Sequence, residues 1–371
     1  MNLEYLLSLY FHPKKGSDKA TTLNVEMAPV YLNLAYQEVF LAHSWIYRKR
    51  DGQITLEPRY TTGTVSVTKY ARTNLAASRT ITFTGASLTT NMVGHFIKFQ
   101  DGDKWYRIDY LTGSGTAWTG YLDSPVTDVD SGSKTFEIWK RYYNLKSDVA
   151  DFLDFGRWSN GHLEYDPDLI GKYDDVSKEA ATPTAFNVVG SDKFADITST
   201  GTIDIAKDSN VGTVADLNLL SSGYDTGDAV EIGDVDYYIN RIESNTRLVF
   251  FNHFATAKDD EEATFKKNNS VTFEFYNPPD NYYSLPYTYL GRAYDLVHKT
   301  KDMILLPKNF IPAIISRAHY YDYKASGNED YVNMLNVYTA ELEGLKAKVQ
   351  MVKARYTKFS PRILSTAPGR G

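Results

Sequence analysis

Histidine, cysteine and carboxylate spacing decide first what chemistry this chain can do. Its seven histidines are His12, His43, His95, His162, His253, His298 and His319. No two form an HxH or HExxH pair, so no local metal site is expected. There is no cysteine, which removes disulfides, thiolate zinc, iron–sulfur clusters and a thiol nucleophile. No GxSxG elbow, GxxxxGK[ST] loop or GxGxxG entering a helix occurs. Gly113 and Gly115 in TGSGTAW lie between strand-like runs and read as a hairpin turn. Three acidic pairs, Asp101 with Asp103, Asp128 with Asp130 and Asp166 with Asp168, could supply calcium oxygens. With Asp128 as first ligand, however, Gly132 falls at the fifth loop place and not the sixth. Tight turns use the same residues, and the turn reading is preferred. Paired carboxylates for glycoside hydrolysis would need a spatial separation that spacing alone does not give. No catalytic, cofactor-binding or metal residue is assigned, and no cofactor is expected.

Aromatic side chains dominate instead: 29 Tyr, 18 Phe and 5 Trp in 371 residues. Exposed rings on strands could stack on sugars, with Trp105 and Tyr238 as candidate platforms. Core and protein–protein contacts are preferred, because interface cores are rich in the same residues. Forty basic against 46 acidic residues leave a net charge of −6, which does not mark a nucleic-acid binder. The length suggests two or three domains. No run of 18 apolar residues is present, so no membrane-spanning helix is expected. The start, MNLEYLLSLYF, carries Glu4 and no basic n-region, and no signal peptide is expected.

The elements that must position these residues change period along the chain. After a loop-like HPKKGSDKATT, a helix is predicted from about Pro29 to Arg48, with Pro29 in its first turn. Its apolar residues form two stripes, Val30, Leu34, Leu41 and Trp45, and Leu32, Val39 and Ile46. Burial from two sides is expected, by its own core and by a neighbouring subunit. Short β-branched and aromatic runs then follow from Tyr60 to Tyr143. SDVADFLDF (147–155) reads as a short helix capped by Ser147. A second β-rich stretch covers about Asn187 to Asn277, and strands are expected within 278–307. Helices are expected near Ile311–Lys324 and Glu329–Val352. In the last, Leu335, Tyr338, Leu342, Leu345, Val349 and Val352 repeat every three or four residues, a seam for packing on another helix. The tail 353–371 holds Lys353, Arg355, Lys358, Arg362 and Arg370 and no acid. It could dock on an acidic neighbour or on phosphates.

An internal repeat links the two β-rich stretches. GHFIKFQDGDKWYRIDYL (94–111) aligns with GDAVEIGDVDYYINRI (227–242) with a two-residue gap. Gly94 matches Gly227, Ile97 matches Val230, Tyr106 matches Tyr237 and Ile108 matches Ile239. FEIW (136–139) and FEFY (273–276) are expected to close each copy. The predicted fold class is α+β, an α-helical bundle scaffold carrying two related antiparallel β-modules, small barrels or sandwiches, as insertions. The expected divisions are 1–57 (arm and scaffold helix), 58–143 (first β-module) and 144–187 (linker with short helix). They continue as 188–277 (second β-module), 278–352 (strands and C-terminal helices) and 353–371 (basic tail).

Five segments together resemble the head-to-tail adaptor, connector or head-completion proteins of tailed bacteriophages, especially short-tailed ones. They are LNLAYQEV (32–39), YTTGTVSVT (60–68), MVGHFIKFQDGDKWYRIDYLTGSGTAW (92–118), NLKSDVADFLDF (144–155) and ILLPKNFIPAIISRAHYYDY (304–323). The stretch 188–277 departs from that pattern. The resemblance implies a non-enzymatic virion protein, assembled in the host cytoplasm as a ring of about a dozen copies. Its partners would be the portal protein, tail or nozzle proteins and genomic double-stranded DNA passing through without sequence reading, with no membrane. The C-terminal segment would reach the portal. The competing reading is a receptor- or glycan-binding virion protein using the aromatic β-modules. A cell-wall glycosidase is a third reading without a motif.

Overall fold

A computed structural model of the chain describes residues 1–11, 26–89, 92–156, 163–168, 180–191, 198–220, 222–267 and 271–357. It divides into two units, Met1–Arg48 with Arg292–Gly371, and Lys49–Gly291. In sequence the second unit is therefore inserted into the first.

The first unit is helical. Helix α1 (Leu3–Tyr10) starts at Asn2, whose side chain accepts the Tyr5 N–H at 3.0 Å. Helix α2 (Ala28–Leu41) has Pro29 in its first turn. Helix α3 (Ile311–Ala325) likewise opens with Pro312, and Gly327 follows it at φ +69°. Helix α4 spans Tyr331–Thr357. Leu32, Tyr36, Val39, Phe40, Phe310 and Ile314 are among the fully buried side chains of its core. The α2 helix is shorter than the period suggested, ending at Leu41. Residues beyond it leave the helical period, so Trp45 turns inward and Ile46 outward. Trp45 is buried, donates its indole N–H to the Val39 carbonyl and meets Phe310 edge-on. Arg48 folds back, donating to the carbonyls of Leu41 and His43, which satisfies groups left open at the helix end.

Among the described residues the second unit is built of strands and turns, with a short 3-10 helix at Ala77–Arg79. In chain order β1 (Lys49–Leu56) comes first. Then come β2 (Thr64–Val67), β3 (Thr80–Thr84), β4 (Phe96–Phe99), β5 (Trp105–Ser114), β6 (Ala117–Leu122), β7 (Gly132–Lys134) and β8 (Phe136–Trp139). Next are β9 (Tyr142–Asn144), β10 (Val149–Phe155), β11 (Glu164–Tyr165) and β12 (Ala185–Ser191). They are followed by β13 (Thr198–Ile205), β14 (Val211–Ala215), β15 (Ala229–Ile232), β16 (Val235–Ser244), β17 (Arg247–Phe250) and β18 (Lys258–Lys266). The last are β19 (Val271–Tyr276) and β20 (Tyr283–Gly291).

Two small sheets, β1-β20-β10 and β11-β12-β19-β9, share one core. Phe155 meets Phe186 at 4.8 Å and Phe152 meets Phe273 at 4.8 Å between ring centroids. Each fully buried ring of this kind is worth roughly 1.5–3 kcal/mol of burial. Two further modules are inserted into this sandwich. Strands β2–β8 form a seven-stranded sheet in the order β7-β2-β3-β6-β5-β4-β8. Its end strands are separated by Thr135 alone, so the sheet curls until its two edges meet in one run of chain. Strands β13–β18 form a closed barrel, β13-β14-β17-β16-β15-β18.

Several expectations are corrected. Strands hold 39% and helices 22% of the chain, so the protein is mostly β, and a helical-bundle scaffold with β insertions is not its fold class. Within 147–155, a turn at Ser147 and Asp148 leads into strand β10, and no helix forms. Bulges between Val149 and Asp151 and between Phe152 and Asp154 break its alternation into a helix-like spacing. Ser147 therefore opens no helix; its hydroxyl donates to Asp228 at 2.6 Å. FEFY (273–276) is β19 of the sandwich; the run that closes the second module is β18.

Candidate assembly surface

Helix α2 is apolar on two opposite sides, and only one of them is used inside the helical unit. At 100° per residue, Leu32, Ala35, Tyr36 and Val39 share the buried side. Val30, Leu34 and Leu41 share the other and are 45%, 47% and 48% exposed. Met27, before the helix, and Ile46 and Tyr47, after it, are exposed too. Water-facing apolar side chains gathered in one stripe make this side a candidate interaction surface. Sequence periodicity identified Val30, Leu34 and Leu41. It missed Met27 and Tyr47, and it put Ile46 on the wrong side.

An ionic and aromatic clasp holds α2 in this orientation. Glu38 accepts from Arg317 Nε at 2.7 Å and from the Tyr321 hydroxyl at 2.5 Å. The Arg317 guanidinium also lies 4.4 Å, 4.8 Å and 4.9 Å from the ring centroids of Tyr320, Tyr321 and Tyr338. Burial opposes the Arg317 charge, yet the Glu38 carboxylate holds its pKa above the ordinary value. Further along, Asn33 brackets Leu296, donating to its carbonyl and accepting its N–H. Gln37 donates to Asp295 at 2.7 Å.

The other candidate residues are placed as follows. On α4, Tyr338, Leu342 and Leu345 are buried in the helical core, and Leu335 and Val349 pack partly buried against it. The Val352, Lys353 and Arg355 side chains lie outside the described residues, as do Lys358, Arg362 and Arg370 entirely. Asp128 works as a brace. It accepts from the backbone N–H groups of Asp103 and Lys104, each at 2.8 Å, and from the Tyr106 hydroxyl at 2.5 Å. Burial disfavours its charge, but these donors outweigh that and hold its carboxyl below the usual range. Asp130 pairs with Lys69, Asp101 with Lys134, and Asp166 accepts the Asp168 N–H. Among the described residues no group of three or more His, Asp or Glu side chains is placed to hold a metal.

The two proposed ring platforms are only half exposed. Trp105 stands edge-on to Trp139 at 5.7 Å, with the Arg59 guanidinium over it at 5.4 Å. Tyr238 is half-buried beside Tyr237, which stacks on Phe254 at 4.2 Å. Among the described residues no helix is long and apolar enough to cross a membrane. The chain matches no family model and no curated protein.

Proposed function

We propose that this protein is a non-enzymatic structural component of the head-to-tail junction of a tailed bacteriophage. Copies pack side by side through the outer stripe of α2 and form a ring that joins the portal to the tail around the path of the DNA. The observation that carries this reading is the second apolar side of α2, exposed at Val30, Leu34 and Leu41 beside Ile46 and Tyr47. The five sequence segments that resemble phage adaptors supply the context. A ring requires a heterologous contact that closes, so the stripe meets a different surface of the next copy. The basic residues Lys353, Arg355, Lys358, Arg362 and Arg370 are assigned to portal docking.

Negative-stain electron microscopy tests the proposal, using the purified protein alone and mixed with the portal protein of the phage that encodes it. Rings seated on the portal are expected, and Leu34→Asp should abolish them while leaving the monomer folded, since that side chain is half exposed. Failure of wild-type protein to form rings with the portal, or unchanged rings with Leu34→Asp, would overturn it. Deleting residues 353–371 should weaken portal attachment alone.

A further inference from the structure

The outward face of the first β-module differs in chemistry from the apolar stripe of α2. Along β2, β3, β6 and β5, the inward residues Val65, Ile81, Phe83, Trp118 and Leu111 fill the module core. The alternate positions carry hydroxyls. Ser66 stands beside Thr82, Thr82 beside Thr119 and Thr119 beside Thr112, one cross-strand row over four strands. Thr64 and Thr84 begin a parallel row. Among the described residues, none of these six hydroxyls is engaged in a hydrogen bond within the protein. Neither row carries a charge.

At one end of this face lie Tyr110 and Tyr121, directly paired across β5 and β6. They are 57% and 42% exposed, with ring centroids 5.8 Å apart and planes 42° to one another. Beside them Asp109 pairs with Arg107 at 2.9 Å and lies 3.9 Å from Arg79. Sequence alternation did not isolate this pair, because a bulge between Ile108 and Tyr110 shifts the phase of β5.

We infer that this face binds a neutral polysaccharide, one sugar ring lying on Tyr110 and Tyr121 and the chain running over the hydroxyl rows. Three observations favour that occupant. Paired exposed rings offer apolar faces to the C–H side of a pyranose. Unengaged hydroxyls both donate and accept, as sugar hydroxyls do. The rows lack the large apolar side chains that a protein interface core requires and the cations that an acidic polymer requires. The second module gives an internal contrast: its equivalent pair is Arg241 and Val249, flanked by the ion pairs of Glu243 with Arg241 and Arg247.

Affinity electrophoresis of the full chain tests this, in native gels containing soluble neutral glucans, mannans or galactans, with polygalacturonate and heparin as charged controls. Retardation in at least one neutral gel is expected. Tyr110→Ala and Tyr121→Ala together should weaken it by about tenfold or more. Arg241→Ala should leave it unchanged. Both tyrosines are exposed, and a melting curve verifies that the double variant folds. Absence of retardation in every neutral gel, equal retardation of the double alanine variant, or retardation by the charged polymers alone would each overturn the inference.

Discussion

The two inserted modules have the same strand path but different closures and different attachments. In the first, Gly94 N–H donates to the Ile108 carbonyl at 2.7 Å, and Ile108 N–H returns to His95 at 2.9 Å. In the second, Gly227 donates to Ile239 at 2.7 Å, and Ile239 returns to Asp228 at 2.9 Å. Both glycines have positive φ, +86° and +91°. Ile97 faces Tyr106 as Val230 faces Tyr237. The closing strand differs. β18 is continuous and pairs with both β13 and β15. In the first module the same role is divided, β7 pairing with β2 and β8 with β4, with one added bridge from Tyr60 to Ile138. The turns differ as well. Gly233 and Asp234, both at positive φ, make a two-residue hairpin turn. The first module has two extra residues there, and Asp128 ties them down. Backbone hydrogen bonding is thus the shared frame, and side chains at matched positions answer to what each module meets.

That contrast is sharpest at the matched pair His95 and Asp228. Asp228 is buried against the sandwich, accepting from Ser147 and from the Asp225 N–H. The adjacent Gly227 packs so closely that an added Cβ would collide with the backbone of Ser147 and Asp148. Gly227→Ala should therefore be the most damaging single change, costing about 4 kcal/mol from backbone strain and steric conflict together. Gly94→Ala, which meets the φ penalty, should cost about 1–2 kcal/mol. Equal thermal melting shifts for the two variants would break the distinction between the attachments. Asp128→Ala comes next, at about 2–3 kcal/mol, because the first module loses three hydrogen bonds to a charged carboxylate at once. A loss below about 1 kcal/mol in denaturant titration would show that the longer loop needs no brace.

Third is a pH effect confined to the first module. Burial, helped by the nearby Lys140 charge, pushes the His95 imidazole down to about 3. As pH falls through the ordinary value near 6.5, the unfolded chain takes up a proton that the folded one refuses. Stability should drop by about 2 kcal/mol between pH 7 and pH 5, and His95→Gln should remove most of that slope. The depressed Asp128 carboxyl acts with the same sign, losing its contribution only as pH falls below the ordinary carboxylate value. Smallest is Gly233→Ala at the two-residue turn, about 1 kcal/mol for a side chain at φ +57°. Melting curves followed across this series rank the four effects directly.

The modules also differ in charge. Residues 60–139 hold seven acidic and seven basic side chains, while residues 198–266 hold thirteen acidic and five basic. The second module alone therefore carries a net −8, more than the −6 of the whole chain. Residue type and local spacing made some of this legible. Gly94 and Gly227, Ile108 and Ile239 align by eye, because a repeat preserves turn and core positions. Period three and four exposed the buried run of Tyr338, Leu342 and Leu345 on α4. The sandwich was not legible. Its defining pair, β1 with β20, joins Lys49 to Leu290 across both modules, and no local pattern reports a pairing that distant. β10 misled for the opposite reason: bulges gave Val149, Phe152 and Phe155 a helical rhythm within a strand. At the candidate surface, the outer stripe of α2 followed from period alone. The inward turn of Trp45 did not, because it depends on where the helix stops.

Insertion of Lys49–Gly291 inside the helical unit orders events on the ribosome. The first 48 residues emerge with their apolar stripes uncovered and wait while 243 residues of sandwich and modules are made. The β unit has all of its chain before residue 292 exists, so it completes first, and the helical core closes last when α3 and α4 arrive. The α2 side of the helical core thus stays without its partners α3 and α4 until the β unit has been made.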